Sequence, residues 1–335
     1  MTSALGDCSW RQVLANPWPL DGRAAAIQSA ALEHRDCPGP QWPSNETLQG
    51  EIPIWSTTDT AQWVACFRGM ENERGDALFR DPWAQRLAGA KGAAMAAQLG
   101  YAGQIGRAIA VRTATIDGLI DRLLREEGLD LVLNLAAGMD TRPWRLPLPA
   151  TLKWIDVDAA EILAAKNSSM AADRPRCLYR TVAADVTRPE SRSAVLDEAA
   201  REGKRILVLT EGLLVYLSPE QVSALAQDLR RYGACQWWLL DLVGPKALGA
   251  LERVWGALLG PGQATFQFAP ADANQFFAAS GWREALFLSS REEARRLGRP
   301  MPLPWLVRAL LWLSTASHRE EFRRLSGVAL LVPRD

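Results

Sequence analysis

From Leu131 to the end of the chain, short apolar stretches of strand length alternate with segments that suit helices, and this alternation constrains the fold more than any other feature. Parallel strands covered on both faces read as near-continuous apolar runs, and parallel neighbours need crossovers long enough to hold a helix. The spacing predicts strands near Leu131 to Ala137, Leu152 to Asp158, Leu178 to Asp185, Ile206 to Thr210, Gln236 to Val243, Ala285 to Ser289 and Gly327 to Pro333. That is an α/β, doubly wound, seven-stranded sheet. Local punctuation agrees with it. Ser218 can cap a helix, Pro219 suits its first position, and Gln221 completes a capping box ahead of Val222, Leu225, Ala226 and Leu229. Asp272 to Ser280 reads as the helix before the sixth strand, ended by Gly281.

Upstream of the sheet the periodicity is helical, with Ile105, Ile109, Ile116, Ile120 and Leu123 on one face, so residues 57–127 are expected to form a helical cap or lid. Residues 1–56 carry Pro17, Pro19, Pro38, Pro40 and Pro43 and read as an irregular N-terminal extension. The core spans 128–335, and stretches near 245–270 and 291–324 exceed what seven strands require, which makes them candidate cap insertions.

Composition narrows the partners. The 38 basic and 38 acidic residues cancel and no long Lys/Arg run occurs, so nucleic acid is not an expected partner. The longest apolar stretch, Pro304 to Ser314, is interrupted by Arg308 and is too short to span a bilayer. No basic start followed by an apolar run marks a secretory signal. Cys8, Cys37, Cys66, Cys177 and Cys235 lie far apart without a CxxC pair, as in a cytoplasmic protein with reduced thiols. His34 and His318 sit in no motif, which disfavours a histidine triad, and no metal site is expected.

The chemistry centres on Leu131-Val-Leu-Asn-Leu-Ala-Ala-Gly138-Met-Asp-Thr-Arg142, a buried strand entering a turn of small residues, with Asp156 and Asp158 ending the next strand. Small residues let a ligand approach the backbone, and a carboxylate twenty positions after Gly138, at Asp158, can accept hydrogen bonds from both ribose hydroxyls. Close helix packing is the alternative reason for small residues. Pro143, Pro147 and Pro149 prevent a long helix from starting at the turn, and Ala136 and Ala137 stand where a phosphate cradle has glycines. A nucleoside without phosphates tolerates both features. At the third strand tip, Asp185 can accept the adenine amine and Val186 can pack on the ring, or Asp185 can simply close a turn. Glu211 ends the fourth strand, where it needs a cationic ligand or an arginine partner.

The combination Asn134-Leu-Ala-Ala-Gly-Met-Asp-Thr-Arg142, Ile155-Asp-Val-Asp158 and Thr210-Glu-Gly-Leu-Leu-Val-Tyr216-Leu resembles the leucine carboxyl methyltransferase family, in particular its bacterial branch. Thr60-Ala-Gln-Trp-Val-Ala65 and Asp76-Ala-Leu-Phe-Arg-Asp-Pro82 resemble that branch as well, so the likeness runs from about Thr57 to the end. It implies a class I, Rossmann-like methyltransferase core with a reversed final strand and helices on both faces, using S-adenosyl-L-methionine and leaving S-adenosyl-L-homocysteine. It further implies Arg112 on the methionyl carboxylate, Ala136, Ala137 and Gly138 as the nucleoside turn, Asp158 on the ribose, Asp185 and Val186 at adenine, and Glu211 near the methionyl amine. Two departures stand out: Ala136 replaces the first glycine of the family's turn, and Thr187 replaces an arginine implicated in acceptor binding.

Methyl transfer from a sulfonium needs alignment and dryness more than acid or base, so a carboxylate on a small-molecule acceptor, already ionised, is the favoured target. Tyr216 is the candidate catalytic hydroxyl that orients the acceptor, with a packing aromatic as the alternative. Among the 14 tryptophans, Trp55, Trp63, Trp83, Trp255, Trp305 and Trp312 fall in cap segments and could line an apolar pocket. The face made by Trp305, Leu306, Ala309, Leu310 and Leu313 could close over it or pair two subunits as a homodimer.

Overall fold

The computed structural model describes residues 57–97, 102–249, 266–301 and 312–334. The expected N-terminal extension and the middles of both expected insertions lie outside the described residues.

Three helices precede the sheet: α1 (Thr57–Asn72), α2 (Ala84–Ala97) and α3 (Ala102–Glu127). Then come β1 (Leu131–Leu135), a four-residue α4 (Arg142–Arg145), β2 (Lys153–Asp158), α5 (Ala160–Met170), β3 (Leu178–Ala183), α6 (Pro189–Glu202) and β4 (Ile206–Thr210). A 3-10 turn, Leu214–Tyr216, leads to α7 (Pro219–Arg231) and β5 (Cys235–Val243). The chain closes with α8 (Ala273–Ala278), β6 (Trp282–Ser289), α9 (Ser290–Arg296), α10 (Ala316–Arg323) and β7 (Ser326–Pro333).

All seven expected strands are present in one sheet of order β3-β2-β1-β4-β5-β7-β6. The first five run parallel, and β7 inserts antiparallel between β5 and β6, giving the reversed final strand. Every residue of β1 and β4 is buried, because these central strands are covered on both faces. Alternation divides them. Leu131, Leu133, Leu135 and Val208 pack with Val195, Leu196, Leu225 and Leu229 of α6 and α7. Asp156 of β2, on the other face, meets Lys166 of α5. The Ser218 capping box forms as expected, as does the Asp272 cap of α8, with Gly281 at a φ of 79° just beyond it.

The segment expected as a lid divides by burial. On α3, Ile116, Leu119, Ile120 and Leu123 are at most 2% exposed, and the helix packs on β7 and α9 as part of the core. α1 and α2 form a separate apolar cluster in which Trp63, Phe67, Leu87 and Met95 meet Met139, Trp144, Ile162 and Met170. Among the described residues no helix is long and apolar enough to cross a membrane.

Candidate active site

Strand order reverses between β1 and β4, so their crossovers leave in opposite directions and open a crevice beyond their carboxyl ends. The turn after β1 is built for close approach. Ala136 has a φ of 55° and Gly138 a φ of 50°, both in the left-handed region. For alanine that region costs about 1 kcal/mol, and such strain persists where surrounding structure holds it. The holders are explicit. Ala137 N–H donates to the Val157 carbonyl at 3.1 Å, Gly138 N–H to Asp158 Oδ2 at 2.7 Å, and Asp140 N–H to the Ala137 carbonyl at 3.1 Å. A side chain at Gly138 would come within 3.2 Å of the Ala61 Cβ, so α1 lies directly over the turn.

That overlying helix is clasped in place. Arg68 of α1 donates to buried Asp81 at 2.9 Å and to the Met139 carbonyl, while the Thr141 hydroxyl donates to the same Asp81 oxygen at 2.6 Å. As Pro143 requires, only the short α4 follows the turn, so no long helix presents its N-terminus to a pyrophosphate.

Asp158 accepts one backbone N–H on each oxygen, from Gly138 and from Ala159, both at 2.7 Å. Burial raises its carboxyl above the ordinary value, with those two N–H groups pulling against it. Each oxygen keeps a lone pair for a further donor, which suits a diol.

Asp185 is exposed, and its Oδ1 accepts both the backbone N–H and the hydroxyl of Thr187 at 2.9 and 2.6 Å. The Thr187 hydroxyl holds its carboxyl below the usual range. The turn-closing alternative is therefore what the geometry contains, with Oδ2 left for another donor. Val186 packs in the main core beside α6, and its carbonyl accepts from Arg192 at 2.9 Å.

At the tips of β4 and β5 lies a charge cluster. Arg112 donates from Nε to Glu211 Oε1 and from Nη1 to Asp241 Oδ2, each at 2.9 Å. Arg142 reaches Glu211 Oε2 at 2.8 Å, Asp117 at 2.7 Å and Asp140 at 2.6 Å. Arg145 also pairs with Asp117, at 2.5 Å. Burial would raise the Glu211 carboxyl, but Arg142 and Arg112 outweigh it and hold it low; Arg142 likewise holds Asp140 far below the usual range against the same penalty. Arg112 and Glu211 are thus brought together, and the arginine partner weighed as the alternative for Glu211 is present twice over. Asp241, Asp117 and the pairing role of Arg142 were not anticipated. The available signal for Asp241 was a lone charge in the apolar run of β5, since a carboxylate there requires partners.

Groups with lowered folded values stabilise above their unfolded values and lose that contribution as pH falls. Unfolding free energy should therefore drop below about pH 4.5, the ordinary glutamate value, as Glu211 and Asp140 are forced to protonate. Asp158, with a raised value, works in the opposite sense and offsets part of the loss. Denaturant titrations from pH 7 to 3 measure it, and a flat profile would contradict the cluster.

Tyr216 sits at the end of its 3-10 turn, its ring tilted by 39° against Phe266 with centroids 5.3 Å apart, and packs against the apolar cluster that contains Trp63 and Phe67 of α1. Burial, with Asp241 adding and Arg112 opposing, pushes its phenol up to about 12. Of the cap tryptophans, Trp63 is buried, Trp83 donates to Asp173 at 2.8 Å, and Trp312 is exposed; Trp55, Trp255 and Trp305 lie outside the described residues. His318 is a surface residue beside its helix cap Thr315.

The residues therefore fit a phosphate-free nucleoside carrying an amino-acid tail: a left-handed backbone bend, a desolvated carboxylate at the β2 tip, and a guanidinium and carboxylate at the β4 tip. Comparison with known proteins points to the same ligand. The family model for leucine carboxyl methyltransferase matches residues 61–230. A Parafrankia protein is 37% identical over 198 residues, covering 56% of this chain and 62% of its own length. A Streptomyces avermitilis protein is 32% identical over 270 residues, covering 75% of this chain and 90% of its own length. Both bear the name "putative S-adenosyl-L-methionine-dependent methyltransferase". A solved DUF574-family structure from Streptomyces avermitilis, 12% identical, covers 82% of this chain and 97% of its own with a TM-score of 0.51, a likeness of fold.

Proposed function

The chain belongs to the leucine carboxyl methyltransferase family and is an S-adenosyl-L-methionine-dependent methyltransferase, and from that premise we propose that it methylates an oxygen, preferably a carboxylate, of a small natural-product or metabolite acceptor without a metal. When bound, the cofactor supplies an electrophilic methyl group on a cationic sulfur that leaves as a neutral thioether. The chain's own residues bind, align and keep water out. Asp158 accepts from the ribose hydroxyls over the Ala136, Ala137 and Gly138 turn, and Asp185 receives the adenine amine on Oδ2. Arg112 faces the methionyl carboxylate and Glu211 the ammonium. α1, clasped over the turn by Arg68, Asp81 and Thr141, would help keep water from the bound cofactor.

The observation that carries the carboxylate preference is the Tyr216 hydroxyl. Like any phenol it is protonated at neutral pH, and burial only reinforces this, so it can orient an acceptor by donating a hydrogen bond but does not take a proton from one. An acceptor that is already an anion needs nothing more. Buried, free Cys66, Cys177 and Cys235 support work in the cytoplasm.

The test is transfer of labelled methyl from S-adenosylmethionine to a panel of small carboxylic acids, phenols and amines, with and without a chelator. The expected product is a methyl ester, recognised because mild alkali releases its label as methanol, and the chelator changes nothing. Alkali-stable label would favour N-, C- or ether methylation. Tight binding of S-adenosylhomocysteine with no transfer to any acceptor would favour a noncatalytic binding module.

A further inference from the structure

Resting on that cofactor reading, we propose that Asp241 is the residue that positions the amino-acid end of the site, acting through Arg112 and Gly212. It is the one charged residue in β5. Its carboxylate is divided between two tasks: Oδ1 accepts the Gly212 N–H at 2.7 Å and Oδ2 accepts Arg112 Nη1 at 2.9 Å. Gly212 has a φ of 68° and directly follows Glu211, so the first bond fixes the left-handed turn that aims Glu211. The second fixes the guanidinium that pairs with Glu211. The two are stacked: a Cβ at Gly212 would lie 3.7 and 3.9 Å from the terminal nitrogens of Arg112.

The division matters because a guanidinium beside a single carboxylate closes on it as a bidentate fork. Here Arg112 gives Nε to Glu211 Oε1, Arg142 holds Glu211 Oε2 at 2.8 Å, and Asp241 takes Nη1, so neither carboxylate closes a two-point fork on Arg112. With Glu211 Oε2 held by Arg142 and Asp241 Oδ1 by the Gly212 N–H, Nη2 is the guanidinium nitrogen that meets a ligand carboxylate. Without the Asp241 charge, Nη1 loses its anchor, the guanidinium is held at Nε alone, and Nη2 is no longer fixed where the ligand carboxylate meets it.

The test compares two ligands on Asp241→Asn, which keeps an acceptor for Gly212 but removes the charge facing Arg112. S-adenosylhomocysteine carries the amino-acid tail; 5′-methylthioadenosine has the same nucleoside and sulfur without it. Calorimetry should show S-adenosylhomocysteine weakened ~10-fold or more, the value of one hydrogen bond to a charged group, with 5′-methylthioadenosine within about twofold. Asp241→Glu, which keeps the charge, should recover part of the loss, and it carries the same two-ligand comparison if the asparagine variant does not fold. Unchanged S-adenosylhomocysteine binding, or equal losses for both ligands, overturns the role of Asp241. Failure of the unaltered protein to bind S-adenosylhomocysteine overturns instead the cofactor reading beneath it.

Discussion

Replacing Asp158 by alanine should weaken S-adenosylhomocysteine binding ~100-fold while moving the thermal midpoint by no more than a few degrees. The affinity loss follows from removing two charge-assisted acceptors for the ribose hydroxyls, each contributing ~1.5 kcal/mol or more. The small effect on stability follows from the sign of the pKa shift. Burial disfavours the ionised form of Asp158, so the fold gains by losing that charge what it forfeits in the two backbone bonds from Gly138 and Ala159. Calorimetric titration beside a thermal scan checks both halves. Affinity within threefold of the unaltered protein would sink the placement of the ribose.

Two residues earlier on the same strand, the opposite behaviour is expected. Asp156 is fully buried and accepts from Asn134 at 3.0 Å, Trp154 at 2.8 Å, Lys166 at 2.5 Å and Tyr179 at 2.9 Å. Asp156→Ala leaves the equally buried Lys166 ammonium without its carboxylate, a loss of ~3 to 5 kcal/mol, or ~4 to 7 °C in thermal midpoint. The loss spreads, because Asn134 also bridges to Asp140 at 3.1 Å and so ties β2 to the turn carrying Arg142. Pairing Asp156→Ala with Lys166→Met should recover part of the stability by removing the stranded charge, and a thermal scan of the three variants decides it. If Asp156→Ala melts within two or three degrees of the unaltered protein, the buried network is not the support described here.

The contrast between these aspartates shows where reading the chain by itself stops. Both appear as acids at the end of one strand, two positions apart and on one face. Nothing local tells that the first is consumed by Lys166 from the next helix and the second by the turn after β1. Val186 makes the same point: nothing local at a strand tip tells that it packs in the core beside α6.

What the amino-acid sequence determined without help was everything with a short physical range. Apolar runs set the seven strands, Ser218 with Gln221 and Asp272 set two helix starts, Pro143 stopped a helix at the turn, and the small residues from Ala136 to Gly138 set the bend. Tertiary structure alone decided which charges meet. Arg112 finds Glu211 99 positions away and Asp241 129 positions away, because the strand order sets β5 beside β4 and α3 packs against the sheet near their tips. Backbone preference acts over a few residues, whereas a buried charge is satisfied by whichever partner the strand order delivers to it.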